Sequence, residues 1–482
     1  MSKDLRTYLN HLHKSQPKEI KMVDQEIDRK WEVTALVEKL KKDPQYPNFP
    51  AILFTNIKGC KFPLLINLCG NYQRLAFSID STVQTMVPQY AKLEANPIAP
   101  LEIDRNQAPV KEVVWTGDQI DLDRFPAPWH NELDAGYFIA GGTCLTKDPE
   151  NQKTNVGIYR HQIHSRNEVG LMISPAHHGG DVLRRMQNAE RPLEVAIVIG
   201  HHPTFLMSAV SRLAGVGGEL GVCGGLMGEP LEMVSAESVD LLVPARAEIV
   251  IEGLVDTLPE ALKQEGPFGE YPHYYTGFGP MPWIKITAIT MRKNPIFQTV
   301  FSGHIEHTCL GALPKMGGLY RRVRAAVPSA TMVNLPISGM GRSHAYISIK
   351  KARDGEPKLA AFAALATDHL IKHVFVVDDD VDVFDETEVL WCMCTRFQAD
   401  RDLSIIPYTM GGHLAPNCYD IDRNERADDR HRKVMETKMI LDLTKPAPPT
   451  PFPPRCGVPE KLVENADLSV LKNFPGLEKL LK

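Results

Sequence analysis

Between Gln264 and Tyr271 the chain reads Glu265-Gly266-Pro267-Phe268-Gly269-Glu270, two carboxylates on either side of a turn. Proline fixes φ and removes a donor, and glycine permits backbone shapes that other residues avoid. A turn of this kind can hold two acids at the rim of a pocket. Carboxylates that close together do not both ionise easily, which sets a proton donor beside a proton acceptor. The same residues also fit a surface turn with two solvated Glu.

Further patches with chemical potential lie upstream. Asn155-Val-Gly-Ile-Tyr-Arg160 puts a guanidinium at the end of a strand-like run, where it can grip a carboxylate bidentately or form an ordinary salt bridge. Ser174-Pro-Ala-His177-His178-Gly-Gly180 sets paired His before a helix start, whose free N–H groups suit an anion; two solvated loop His are the alternative. Gly215-Val-Gly-Gly-Glu219 places a carboxylate behind a flexible loop that fits no Walker or dinucleotide fingerprint. Together Asn, His and Glu offer an O/N/O donor set, better suited to Mn²⁺ or Mg²⁺ than to a thiolate-seeking metal. The acidic run Asp378 to Asp382 follows an apolar strand and reads as solvated or capping.

The elements that must position these groups change character along the chain. Asp4 caps a short helix with Leu5, Tyr8, Leu9 and Leu12 on its apolar face, and a second helix is expected over 25–42, before a buried strand from Ala51 to Ile57. From about 110 to 300 short β-like runs alternate with Gly and Pro, a barrel or sandwich texture with one helical insertion over 180–188. Beyond Gly317, a helix over 319–327, a strand over 345–350, a small-residue helix from Leu359 and a strand over 374–377 argue a largely parallel sheet with helices on its faces. Residues 446–454 form a Pro-rich linker, leading to a tail helix (Leu468, Leu471, Leu477, Leu480, Leu481) that is expected to dock on another subunit or domain.

Bulk properties exclude several classes. With 482 residues the chain exceeds one core, so about two or three domains are expected. A net charge of −5, spread along the chain, gives no nucleic-acid footprint. No apolar run reaches membrane length, and the N-terminus lacks the apolar stretch of a signal peptide. Nine scattered cysteines form no framework, so reduced thiols and a cytoplasmic location are expected. Cys392 and Cys394 would share one face of a strand, with no second pair to complete a zinc site.

In this order, the patches resemble the UbiD-type decarboxylases, which use prenylated flavin mononucleotide (prFMN). The resemblance runs from about residue 50 to residue 440. It is carried by Asn155 to Arg160, Gly170-Leu-Met-Ile-Ser-Pro-Ala-His177, Glu219, Val243-Pro-Ala-Arg-Ala-Glu-Ile-Val-Ile-Glu-Gly253 and Glu265 to Glu270. It implies that Asn155, His177 and Glu219 hold a Mn²⁺-like ion tied to the flavin phosphate, often beside K⁺. It implies too that Gly157, Ile158, Tyr159, Arg160, Ala176 and Lys372 line the cofactor, Lys372 toward its phosphate. Arg160, Glu265 and Glu270 match a Glu-Arg-Glu catalytic network, with Glu270 holding Arg160 and Glu265 delivering the proton. His307, with Lys315, is expected to contact a polar ring substituent or second carboxylate; His178 has no counterpart.

The implied fold is α/β of the α+β multidomain kind. An N-terminal α/β domain (1–110) precedes a split β-barrel flavin-binding domain (111–315), an α/β oligomerisation domain with a parallel-type sheet (316–445) and the linker with its tail (446–482). The implied activity is reversible, non-oxidative decarboxylation of an aromatic, heteroaromatic or α,β-unsaturated carboxylic acid, in a homodimer or homohexamer supplied by a separate flavin prenyltransferase. Family branches acting on catechol-type acids often lack the Glu-Gly-Pro-Phe-Gly-Glu turn. Its presence points to acrylic or heteroaromatic acids, while His307 points to phenolic or furan-like ones. Two other readings fit the residues: a metal-dependent hydrolase using Glu265 and Glu270, and a flavin-binding assembly subunit without its own activity.

Overall fold

The structure, a computed structural model, describes residues 2–173, 178–211, 218–258, 261–412, 414–420 and 434–470. The first helix, Leu5–Ser15, forms as expected because Asp4 and Thr7 close a reciprocal cap, each side chain accepting the other's backbone N–H at 2.8 Å. The second is shorter than its apolar spacing suggests, Glu32–Lys41. Ile27 and Lys30 instead make bridges to Ile57 and Trp129, and Trp31 adopts φ +68°, so cross-chain pairing overrides helical period before Glu32. Behind these helices lies a four-stranded sheet of Ile20–Val23, Ala51–Phe54, Leu64–Ile66 and Phe297–Gln298. Its last strand comes from the far end of the central segment.

The central sheet is antiparallel and runs Phe138–Ile139, His161–Ser165, Glu168–Gly170, Trp283–Met291, Ile249–Val255, Leu193–Ile199, Thr143–Lys147, Thr154–Ile158, with Val113–Thr116 beside Trp283–Met291. The strand at one edge, Thr154–Ile158, is followed after only Tyr159 and Arg160 by a strand next to the opposite edge, His161–Ser165. Three peptide steps span at most about 11 Å, so the sheet must curl until its two ends nearly meet. That is the half-barrel texture expected from the sequence. The inserted helix is His178–Asn188.

A third sheet, Ala330–Asn334, His344–Ile349, His373–Asp378, Val434–Asp442 and Leu403–Met410, is parallel through its three middle strands and antiparallel at both edges. Helix Glu356–Thr367 and a long helix, Ile305–Ala326, pack against it. The long helix begins well before the expected 319. Gly311 and Pro314 disguise its period, and Gly311 is there because a Cβ would sit 2.6 Å from Arg342 Nη2.

Two expectations are corrected. Cys392 and Cys394 lie on helix Glu386–Thr395 instead of a strand, so they do not share a face. Within the acidic run, Asp378 and Asp380 accept from Arg396 at 2.8–3.0 Å and Asp380 also from Lys445 Nζ at 3.0 Å, an ion-pair network instead of freely solvated acids. Of the tail, Leu468 opens an exposed turn, Leu468–Val470, and residues 471–482 lie outside the described residues. None of the described helices is long and apolar enough to cross a membrane.

Glu306 fastens the long helix to the two segments that leave the first sheet. Fully buried in the first turn of the long helix, it accepts N–H bonds from Asn67 (2.9 Å), Cys69 (3.1 Å) and Phe301 (2.9 Å). Burial pushes its carboxyl up to about 7, against the pull of those three amides and of Arg74. Replacing it with Gln turns an amide donor toward a nest of donors. Glu306→Gln should therefore lose about 1–3 kcal/mol of stability, read as a lower thermal or denaturant midpoint; an unchanged midpoint would contradict this account.

Candidate active site

The two-residue link between sheet edges carries the site. Arg160, 7% exposed, points its guanidinium into the curl and meets the Glu265 carboxylate edge to edge, Nε to Oε1 at 2.9 Å and Nη2 to Oε2 at 2.7 Å. Its remaining nitrogen, Nη1, reaches Glu270 Oε1 at 3.3 Å and the Thr276 hydroxyl at 3.0 Å. The Phe268 ring centroid lies 5.1 Å from Cζ, over the cation. Burial opposes the charge on Arg160, but the hydrogen bonds and fields of Glu265 and Glu270 more than offset it, and its pKa is raised.

The turn that bears both acids is itself held from outside. Gly266 N donates to Gln162 Oε1 (3.0 Å), Ala135 N to Pro267 O (2.8 Å) and Gly269 N to Asp134 Oδ1 (2.8 Å), while the Ser302 hydroxyl donates to Gly269 O (3.0 Å). Asp134 also accepts from Asn131 N at 2.8 Å. Burial pushes its carboxyl up to about 6, with these amides and Arg160 pulling the other way.

A second cluster faces the other side of the link. Tyr159, Asn155 and Glu219 are all buried, and Glu219 opens helix Glu219–Met227. Burial raises the Tyr159 pKa most; the neighbouring Cys144 and Glu219 add to this, and the Gly179 N–H opposes it. A Cβ at Gly179 would lie 2.3 Å from the Tyr159 hydroxyl and one at Gly157 2.8 Å from it, so both glycines exist to admit the phenol. Gly179 sits in the first turn of the inserted helix, and His178 before it is exposed. The Asn155 amide nitrogen is buried with no hydrogen-bond partner. An amide turned by half a rotation presents oxygen instead, so Asn155 and Glu219 supply two hard oxygen donors, a set that fits Mn²⁺ or Mg²⁺. The third expected ligand, His177, and Ala176 lie outside the described residues. Among the described residues, no three His, Cys, Asp or Glu side chains converge as a metal site.

Lys372 stands beside the third sheet, 3.8 Å from Glu436. His307 Nδ1 hydrogen-bonds the Ser302 hydroxyl (3.2 Å), whose own proton lies on Gly269 O, and the ring is edge-on to Tyr271 at 6.3 Å. Burial, then Arg342 and Lys315, drive its pKa well down, so the imidazole is neutral at ordinary pH. Lys315, on the same helix, pairs with Asp368 at 3.2 Å in the wall of a cavity of about 560 Å³. Arg342 covers the Tyr271 ring at 4.3 Å. Sequence reasoning did not single out Asp134, Thr276, Tyr271 or Arg342. None carries a local pattern, and each matters only through what folding sets beside it.

The comparisons with known proteins follow this geometry. Family profiles described as the 3-octaprenyl-4-hydroxybenzoate carboxy-lyase N-terminal, Rift-related and C-terminal domains match residues 13–94, 101–305 and 308–443. A phenolic acid decarboxylase of Sedimentibacter hydroxybenzoicus is 33% identical over 423 residues, 84% of this chain and 85% of that one. The UbiD-class enzyme HmfF of Pelotomaculum thermopropionicum, solved with FMN, is similar at a TM-score of 0.87 and 35% identity over 97% of this chain and 99% of the other. Its evolved dimeric form, solved with prFMN, is similar at a TM-score of 0.85 and 33% identity over the same shares.

Asp134 gives a testable sign. Its folded pKa stands above its ordinary 3.8, so its contribution to stability is full at low pH and is lost as pH rises through about 6. The stability advantage of wild type over Asp134→Asn should shrink between pH about 4 and about 6, followed by thermal midpoints of both proteins. An advantage that grows over this window would contradict the assignment.

Proposed function

The chain belongs to the UbiD family, and from that premise we propose that it removes CO₂, reversibly, from an aromatic, heteroaromatic or α,β-unsaturated carboxylic acid with prFMN as cofactor. The observation that carries the reading is the buried Arg160 fork, locked through Nε and Nη2 to Glu265 and only singly, through Nη1, to Glu270. That the similar proteins include a phenolic acid decarboxylase and an enzyme solved with prFMN supports the class and the flavin. In this reading Asn155, Glu219 and His177 hold a divalent ion at the cofactor phosphate, with K⁺ nearby. Prenylated FMN, when bound, supplies the electron sink that loss of CO₂ from an sp² carbon requires.

The residues divide the remaining work. Arg160 orients the substrate carboxylate, since a guanidinium fixed by a bidentate partner holds its free edge in one direction. As the C–C bond breaks, its electron pair stays with the substrate and CO₂ leaves. A carboxyl O–H then gives up its proton to form the new C–H bond. The sequence reading gave that proton to Glu265, and the geometry favours Glu270. Both Glu265 oxygens already accept from Arg160, and its side chain is 0% exposed; Glu270 takes a single 3.3 Å bond from Arg160 at Oε1 and one from the Tyr271 N–H at Oε2 (3.2 Å), and is 15% exposed, open to reprotonation. Glu265 then serves to hold Arg160. The same occupancy weighs against a hydrolase that needs both acids free.

The substituent end of the substrate falls to the neutral imidazole of His307 and to Lys315, on the long helix. The dependence on a separate prenyltransferase follows from the cofactor, and a dimer or hexamer remains part of the proposal.

Glu270→Gln should keep the flavin absorption and the thermal midpoint of wild type and lower CO₂ release by roughly a hundredfold or more. Glu265→Gln should instead lower the midpoint as well, because it leaves a buried guanidinium short of a counter-charge. The reverse pattern would return the proton to Glu265. For the ion, Asn155→Ala and His177→Ala should each lower the Mn²⁺ bound per chain and flavin retention together; equal metal content in variant and wild type would remove those residues from the ligand set.

A further inference from the structure

Arg160 Nη1 is the one guanidinium nitrogen shared between an acid and a neutral group. Its shorter bond, 3.0 Å, is to the Thr276 hydroxyl and its longer, 3.3 Å, to Glu270. The hydroxyl has no freedom to point elsewhere. It donates to the Phe268 carbonyl at 3.2 Å, which leaves its lone pairs for Arg160, and the Thr276 N–H binds the same carbonyl at 2.9 Å. Thr276 is thus pinned by the backbone of the acid-bearing turn and faces the cation from a fixed place.

A buried donor left without an acceptor costs free energy comparable to its desolvation. Nη1 has two N–H groups, so with Glu270 as its only acceptor an excursion of that carboxylate toward substrate would leave both without a protein partner, whereas Thr276 keeps one bonded and holds the guanidinium plane while the other turns to the substrate. We infer that Thr276 is a positioning residue for proton delivery: it carries the Arg160 Nη1 hydrogen bond while the Glu270 carboxyl turns from Arg160 to the substrate carbon. The inference rests on the decarboxylase reading above. The charged and titratable groups around Glu270 are Arg160 across the curl, Tyr271 beside it in sequence, and Arg342 over the Tyr271 ring. None of these supplies an alternative acceptor for Nη1.

The experiment compares the flavin-loaded wild type with Thr276→Val and Thr276→Ser on an acid that wild type decarboxylates. Valine keeps the shape and removes the hydroxyl. Its kcat should fall about tenfold, the value of one hydrogen bond to a charged group, with KM within about twofold and flavin content unchanged. Serine should restore most of kcat. An unchanged kcat in Thr276→Val, a KM that rises as kcat falls, or a Ser variant no better than Val would each overturn the inference. Should the valine protein not fold, Thr276→Ala takes its place in the same comparison. Absence of CO₂ release by loaded wild type on every acid of a broad panel would instead sink the decarboxylase reading itself.

Discussion

A guanidinium taken out of water must find acceptors for its N–H groups or it does not stay buried. Most of the active-site architecture follows from meeting that demand for Arg160. One edge, Nε and Nη2, is filled by Glu265, the third nitrogen by Glu270 and Thr276, and the face by Phe268. To bring two carboxylates to one cation, the chain between them must double back, and that is what Gly266 to Gly269 accomplish. The turn has little regular pairing of its own, so Gln162, Ala135, Asp134 and Ser302 bond its backbone from the surrounding strands and loops. The unequal sharing among acceptors, tight to one acid and loose to the other, separates a structural carboxylate from one that can act.

The substituent end is governed by a different element. His307, Gly311 and Lys315 recur at four-residue intervals on the long helix, so they share a face. Gly311 leaves room there for Arg342, which in turn lies over Tyr271, the residue after Glu270. The helix is anchored by Glu306 to the N-terminal loop and to Phe301, and its far side packs with the third sheet. His307, Gly311 and Lys315 therefore hang from one part of the core and Arg160 with its two acids from another, and Tyr271 lies between them.

Much of this was legible in the sequence because it depends on local chemistry. The Gly-Pro-Phe-Gly turn, the Asp4 cap and the β texture of the middle segment are short-range features. The family motifs marked Arg160 and both acids before any geometry was known. What sequence reasoning missed is long-range. The helix expected from 25 starts at Glu32, because pairing of Ile27 and Lys30 with distant residues outweighs an apolar period. The long helix was cut short because its glycine and proline answer to Arg342 and packing, and not to helix propensity. Thr276 and Asp134 are ordinary polar residues until folding places one beside Arg160 and the other beneath Gly269. The order of the two acids in the reaction is likewise a matter of who shares which nitrogen, and spacing alone does not contain it.

Tyr159 and Arg160 are neighbours in the chain, yet Tyr159 lies with Asn155 and Glu219 while Arg160 meets Glu265 and Glu270. A single peptide bond thus fixes the separation between the oxygen-donor cluster and the acid pair. Insertion or deletion here would uncouple the two clusters and also uncurl the sheet. The helical face that carries His307, Gly311 and Lys315 is under no such tether, so a substitution there leaves the curl of the sheet untouched.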